Sequence, residues 1–230
     1  MEDDNKSIPQ IDKPWISPHL NDEFIWIDRI NIWVCKYMVS NKLYRKFKPE
    51  HDSGKFEGFS LNDDQQPAVL VSFNDVMSFC DWLTQFEHKE HMLPSNYIYR
   101  LPSDEEWTHF SRCGDGRIYP WGNSWPPTYG NYSDATAKKE FKEWDVIDDY
   151  DDGYPVSCPV QVAGENEWGL IGVGGNAYEW TFQADGTRVE LRGGSWSTNQ
   201  KEYLTCMNRY PRESTSCLVN FGCRIILLKT

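Results

Sequence analysis

Side chains able to do chemistry gather in few places along this chain. Residues 145–153, DVIDDYDDG, place five carboxylates in nine positions. Such hard oxygens suit a calcium-type cation, which takes six to eight of them, and they equally suit a solvated acidic loop. The pattern Asp148, Tyr150, Asp152, Gly153 is not an EF-hand loop, because the middle acidic ligand is missing. Soft donors are scattered. Cys35, Cys80, Cys113, Cys158, Cys206, Cys217 and Cys223 stand at irregular spacing with no CxxC pair, which argues for reduced thiols and against zinc. Of the five histidines, His19, His51, His88, His91 and His109, only His88 and His91 in EHKEH are spaced to share a helical face. The expectation for that pair is solvation, with no transition metal. Ser195 in RGGSW has its glycines on the wrong side for a nucleophile elbow, so it is read as satisfying local backbone.

Charge and hydropathy exclude whole classes of partner. The 230 residues carry a net charge of -12, and no cluster of five or more Lys or Arg offers a footprint for nucleic acid. No apolar run of about 18 residues occurs, and the N-terminus has neither a basic nor an apolar leader region. The expectation is a cytoplasmic, soluble chain with no membrane insertion.

The elements that must position these groups are signalled unevenly. Residues 1–22 are polar with three prolines and read as a tail or strap, and residues 23–230 as one domain. Residues 24–33, FIWIDRINIW, alternate as a half-buried strand, with a hairpin continuing into residues 34–37. Ser40 and Ser72 each precede a helical pattern, and Val76, Phe79, Cys80 and Leu83 recur on one face of the second. RLPSDEEW predicts a third helix, with Ser103 and Glu106 forming a capping box and Trp107 and Phe110 facing the core. Residues 118–159 lack periodicity, yet their aromatic side chains demand burial, so they read as long ordered loops. Short strands return near residues 189–192 and 222–228. Gly172, Gly174, Gly175 and Asn176 mark a further ordered, non-regular loop.

The strings YRLPSDEEW, YPWGN, DGYPVSCPV, NEWGL, GGNAYEW, RGGSW and FGCRI, in this order, resemble the formylglycine-generating-enzyme or sulfatase-modifying-factor family. The resemblance covers most of the chain. It implies an α+β, C-type-lectin-like fold with a twisted antiparallel sheet, two to three helices and a large share of ordered loop. It also implies calcium. The matching ligands are Asn131, the carbonyl of Tyr132, Asp152 and the carbonyl of Tyr154. A second family cation would use carbonyls of Gly175 and Ala177 and the carboxylate of Glu179, but its remaining side-chain ligand falls on Gly172.

The family's founding activity, copper-dependent oxidation of a substrate cysteine to formylglycine, uses two thiolates just after RGGS. Here Thr198 stands where the first belongs and the second falls near Tyr203, so no copper is expected. Tyr178 replaces a tryptophan usual in the active-site run, while Ser195 is kept. By the same resemblance Cys206 matches a structural cysteine with Cys113 near its partner position, and Cys80 and Cys223 approximate another pair. A related branch carries a three-histidine iron site on a preceding helical domain, for which this chain has no room.

The expectation is therefore a non-catalytic module that binds a protein or small-molecule ligand through its C-terminal loops. Trp196, Thr198, Asn199, Gln200, Tyr203, Arg209, Tyr210 and Arg212 would edge the cleft, combining rigid aromatic area with adaptable hydrogen bonds. Retroelement-diversified display proteins related to the family vary their residues between borders like RGGSW and FGCR. The alternative is a divergent metal-dependent oxidoreductase or oxygenase.

Overall fold

A computed structural model describes residues 8–230 of the chain; the start of the expected tail, residues 1–7, lies outside them. The chain begins with β1 (Trp15–Ile16) and β2 (Glu23–Ile27). A 3-10 turn at Asp28–Ile30, closed by Asn31 at φ 51°, leads into β3 (Ile32–Cys35). A hairpin forms, but the turn falls inside residues 24–33, which the alternation predicts as one strand, with Asn31 taking the left-handed position it tolerates. After α1 (Asn41–Tyr44) come the short hairpin β4 (Lys55–Phe56) and β5 (Phe59–Ser60), then α2 (Phe73–Lys89), β6 (Tyr97–Arg100) and α3 (Asp104–Ser111). The second half holds α4 (Ala135–Glu140), β7 (Tyr178–Phe182), β8 (Val189–Arg192), β9 (Tyr210–Arg212), β10 (Phe221–Gly222) and β11 (Ile226–Lys229).

Helix starts follow local chemistry. Ser72 Oγ accepts the Asp75 backbone N–H at 3.1 Å while Asp75 Oδ2 accepts that of Ser72 at 3.0 Å, a reciprocal cap that opens α2. Ser103 and Glu106 do the same for α3, and Arg100 grips both Glu106 oxygens at 2.7 Å. α1 is shorter than its pattern suggested, and α4 was not expected. Asp134 caps α4 through the Ala137 N–H, in a stretch where flanking Gly, Pro and Asp hide so brief a helix.

Two sheets form the mixed α+β body. The first runs β1-β2-β3-β11-β6 and is antiparallel throughout, so the last strand lies between β3 and β6 in the same sheet as the first. The second runs β10-β7-β8-β9, antiparallel except for the β10–β7 pair. The first core packs Val76, Phe79, Cys80 and Leu83 of α2 with Trp33, Tyr99, Trp180 and Phe221. Residues 8–22 form the strap and dock on α2. There the buried Glu87 accepts from Ser17 Oγ at 2.6 Å, Tyr99 OH at 2.8 Å and the His19 N–H at 3.1 Å.

Long loops fill residues 112–177, with α4 as their one helix. Asn176, at φ 67°, ties them together as a peptide mimic: Oδ1 accepts the Cys158 N–H at 2.9 Å and Nδ2 donates to the Cys158 carbonyl at 3.0 Å. Gly193, at φ 74°, allows the RGGSW segment to cross this loop, since a Cβ there would come within 2.6 Å of Gly174 Cα.

Candidate functional site

The segment after RGGSW leaves β8 and turns across the loops. Ser195, Ser197, Thr198, Tyr178 and Asn220 meet there in one hydrogen-bonded cluster. Thr198 Oγ1 lies 2.9 Å from Tyr178 OH, 3.2 Å from Ser195 Oγ and 3.1 Å from the Ser195 N–H. Asn220 Nδ2 donates to Ser197 Oγ at 3.1 Å and to Ser195 Oγ at 3.3 Å. Every group in the cluster is a hydroxyl or an amide, with no carboxylate, amine, imidazole or thiol among them.

The eight residues expected to edge the cleft divide in two. Trp196 and Thr198 are buried, a correction: Trp196 packs against Phe56 and Trp144 at centroid distances of 5.0 and 5.9 Å, and Thr198 is held inside the cluster. Arg209 is committed to Asp104, bonding it at 2.6 and 2.9 Å. Tyr210 is half-buried, its ring 5.1 Å from Tyr178 and 5.7 Å from Tyr203. Burial and the nearby Tyr178 push its hydroxyl well above the ordinary phenol range. Asn199 is half-buried, while Gln200, Tyr203 and Arg212 are exposed. Arg212 lies 5.9 Å from the Tyr210 and Phe221 rings. Beside it an open groove of about 690 Å³ is lined by Thr187, Arg188, Arg212, Glu213, Ser214 and Ser216.

The acidic loop lies behind this segment. Asn131 Oδ1 is buried and accepts no hydrogen bond, although Nδ2 donates to the Val156 carbonyl at 2.9 Å. Asp152 accepts the Tyr132 N–H at 2.9 Å and the Tyr154 N–H at 3.0 Å. Burial, chiefly, and the neighbouring Asp134 push its carboxyl up to about 8, since no side-chain cation balances it. Among the described residues no donor reaches the carbonyls of Tyr132 or Tyr154. The four groups therefore have oxygen lone pairs to spare, which fits a hard cation. Backbone bonds join this loop to the cleft: Ser133 N to Thr198 O at 3.1 Å, Asn176 N to Asn131 O at 2.9 Å and Trp196 N to Asn176 O at 3.1 Å.

At the second cation site the expected ligands are engaged within the protein. Glu179 is fully buried and bonded by Arg224 at 3.1 Å and by Trp107 Nε1 at 2.9 Å. The Gly175 carbonyl accepts the Ala177 N–H at 2.9 Å. Arg224 supplies the positive charge that Glu179 needs, and Gly172 offers no side chain. The shared helical face expected for His88 and His91 is corrected, because α2 ends at Lys89 and His91, which is exposed, lies beyond it at φ 56°. His88 Nε2 instead meets the Tyr97 carbonyl at 2.8 Å. Among the described residues no group of three or more His, Cys, Asp or Glu side chains is placed to hold a metal. All seven cysteines are free thiols, including the two pairs that the resemblance suggested. Cys206 Sγ donates to the Ser111 carbonyl at 3.7 Å and Cys113 Sγ to that of Phe110 at 3.8 Å. Asn220, just ahead of FGCR, escaped the sequence reading; its place beside a recognised motif was the available signal.

Compared with known proteins, residues 26–228 match the sulfatase-modifying factor enzyme 1-like domain model. The chain belongs to this sulfatase-modifying factor family. A Bos taurus relative named inactive C-alpha-formylglycine-generating enzyme 2 is 31% identical over 169 residues, covering 68% of this chain and 49% of its own. The Bos taurus formylglycine-generating enzyme is 30% identical over 122 residues, covering 53% of this chain and 28% of its own. The chain spans about half the length of the first of these relatives, and less of the second. In fold it is similar to PvdO from Pseudomonas aeruginosa, with TM-score 0.67, 16% identity and 96% and 99% of the two chains covered. Treponema denticola variable protein 1 is likewise similar, with TM-score 0.65, 15% identity and 95% and 99% covered. Among the described residues no helix is long and apolar enough to cross a membrane.

Proposed function

We propose that this member of the sulfatase-modifying factor family is a non-catalytic binding module, clamped by calcium, that recognises a protein or small-molecule partner through its C-terminal segment. The observation that carries the reading is Thr198. Where the family's first thiolate would stand, a hydroxyl is buried in a hydrogen-bond cluster with Tyr178 and Ser195. Copper(I) prefers soft thiolates, and a serine or threonine hydroxyl without an adjacent base is a weak nucleophile. The relatives named inactive formylglycine-generating enzymes agree with this reading.

Support for recognition comes from the segment's surface. Tyr203, Met207 and Leu218 of this segment expose 45, 50 and 53% of their area, and Arg212 of the same segment borders an open groove. Large apolar side chains left in water on one segment with an arginine and several hydroxyls match the composition of protein-binding surfaces. In this reading Asn131, Asp152 and the carbonyls of Tyr132 and Tyr154 hold one calcium ion. Its role is structural, since the loop it clamps bonds to Thr198 and carries Asn176, which bonds to Trp196. A diversified display role rests on the RGGSW and FGCR borders that enclose this segment.

The test pairs chemistry with binding. The purified chain is titrated with copper(I) against a chelator and supplied with a cysteine peptide in an oxygen electrode, and a randomised peptide library is selected on it. Selected peptides that lose affinity with Tyr203→Ala or Arg212→Ala, with no stoichiometric copper and no thiol-dependent oxygen uptake, are expected. Stoichiometric copper together with oxygen uptake would overturn the proposal in favour of a divergent oxygenase.

A further inference from the structure

A second concavity lies over the outer face of α3. Its volume is about 430 Å³, and Glu105, Thr108, His109 and Arg112 enter its lining at the spacing of one helical face. Arg29, Met207 and Arg209 complete the wall. On a chain of net charge -12, three arginines and an imidazole thus gather around one hollow with a single carboxylate.

The charges there are not mutually cancelled. Arg209 bonds Asp104, which also takes Arg192, and Arg209 Nε lies 3.8 Å from Glu190, so two cations face two anions in that group. Arg29 and Arg112 are left. Among the described residues neither has a carboxylate within salt-bridge distance, although the charge of Arg112 is felt at Asp115, which Arg117 holds; Arg29 reaches only the Gly114 carbonyl, at 3.4 Å. Arg112 meets the Gly116 carbonyl and, at 3.5 Å, the Met207 sulfur, which is a weak acceptor.

Two buried nitrogens at this hollow also lack partners. Arg112 Nε and His109 Nε2 are closed off from solvent within the chain, and neither has a hydrogen bond. A buried donor without an acceptor costs about 1–3 kcal/mol, which an acceptor in the hollow would recover once a side-chain shift turns the nitrogen toward it. Burial and then the charge of Arg29 lower the His109 pKa, so a positive field reaches the imidazole. An anion placed there would relieve both conditions at once.

We propose that this hollow is a binding site for a small phosphate-type oxyanion, held by Arg112 and Arg29 with His109 as a further donor. Guanidinium groups match tetrahedral oxyanions through paired, charge-assisted hydrogen bonds. Glu105 limits affinity by placing one negative charge at the rim. The hollow shares Met207 and Arg209 with the C-terminal segment, but neither Tyr203 nor Arg212 lines it.

The test is calorimetric titration of the full chain with inorganic phosphate and with O-phosphoserine at low ionic strength. Saturable one-site binding is expected, weakened about tenfold or more by Arg112→Met and by Arg29→Met, as loss of a charge-assisted hydrogen bond implies. Arg188→Met, an arginine of the other groove, should leave it unchanged. Glu105→Gln should tighten it about two- to fivefold by removing a like charge, a gain that partial unfolding cannot produce. Tighter phosphoserine would identify a monoester ligand and tighter phosphate the free ion, and either supports the site. No saturable binding of either anion, or equal weakening by Arg188→Met, overturns it.

Discussion

Arg224 and Glu179 face each other inside the protein, Nη2 to Oε1 at 3.1 Å, with both side chains wholly shut off from water. The same guanidinium donates to the carbonyls of Cys35 at 2.9 Å, Lys36 at 2.8 Å and Ile171 at 2.7 Å. One residue of the FGCR motif thereby joins the early hairpin, the long loops and β7. Removing one partner of such a pair leaves an uncompensated buried charge, at about 3–5 kcal/mol. Arg224→Met and Glu179→Gln should each lower unfolding stability in urea by that amount. The double variant should lose less than the sum, because neither charge is then stranded.

Calcium should stabilise the chain through the Asn131 loop. At a concentration one hundred times its Kd, a ligand that binds only the folded state adds about 2.7 kcal/mol. Thermal melting in calcium and in chelator should show this difference. Asp152→Asn should abolish the response, whereas Glu179→Gln should lower both melting points and leave their separation intact. An unchanged response in Asp152→Asn would place the cation elsewhere.

The C-terminal segment should separate into core and surface. Trp196→Ala should cost about 3–5 kcal/mol, because it empties a buried site beside Phe56 and Trp144. Arg212→Ala and Gln200→Ala should stay within about 0.5 kcal/mol, as exposed substitutions do. Urea denaturation of the three variants checks the division that the sequence could not make.

His51 should make stability depend on pH. Burial, then Arg45 and Lys48, hold its pKa below the ordinary value, and Nε2 lies 3.1 Å from Ser53 Oγ. The unfolded chain takes up a proton near pH 6.5 while the folded chain resists, so the unfolded state binds more protons in the window between the two values. Stability therefore rises with pH through that window and falls on acidification. In His51→Gln the slope just below pH 6.5 should flatten. An unchanged slope would refute the assignment.

Thiol reactivity should sort the cysteines. Cys217 is exposed, whereas burial pushes Cys206 up to about 11 and lifts Cys35, Cys80 and Cys223 well above the usual thiol range. Since the thiolate is the reactive form, an aromatic disulfide reagent should modify one thiol rapidly in the folded protein. Half-exposed Cys113, its pKa raised to about 11, should follow slowly, the five buried thiols should react only as the chain unfolds, and Cys217→Ser should remove the fast phase.

Much of the fold could be read locally. Ser72 with Asp75 and Ser103 with Glu106 declare helix starts within four residues, and the alternation of residues 24–33 declares strand, though not the turn inside it. α4 could not be read, since six residues behind Asp134 carry too little periodicity to stand out among loops. Part of the candidate site was legible through motif order, which located the Asn131 loop and the segment after RGGSW. The role of Asn220 was not, because its partners Ser195 and Ser197 lie 25 and 23 residues away.

By itself the sequence determined membership of the family, the lack of a thiol at Thr198 and Tyr203 and the capped helices, because each depends on residue identity or on neighbours a few positions apart. Tertiary structure decided what Glu179 pairs with, which C-terminal residues reach solvent and where two arginines remain uncompensated. The physical reason is range. Arg224 meets Cys35 across 189 positions and Arg209 meets Asp104 across 105. Burial and charge pairing at such separations exist only once the whole chain has packed.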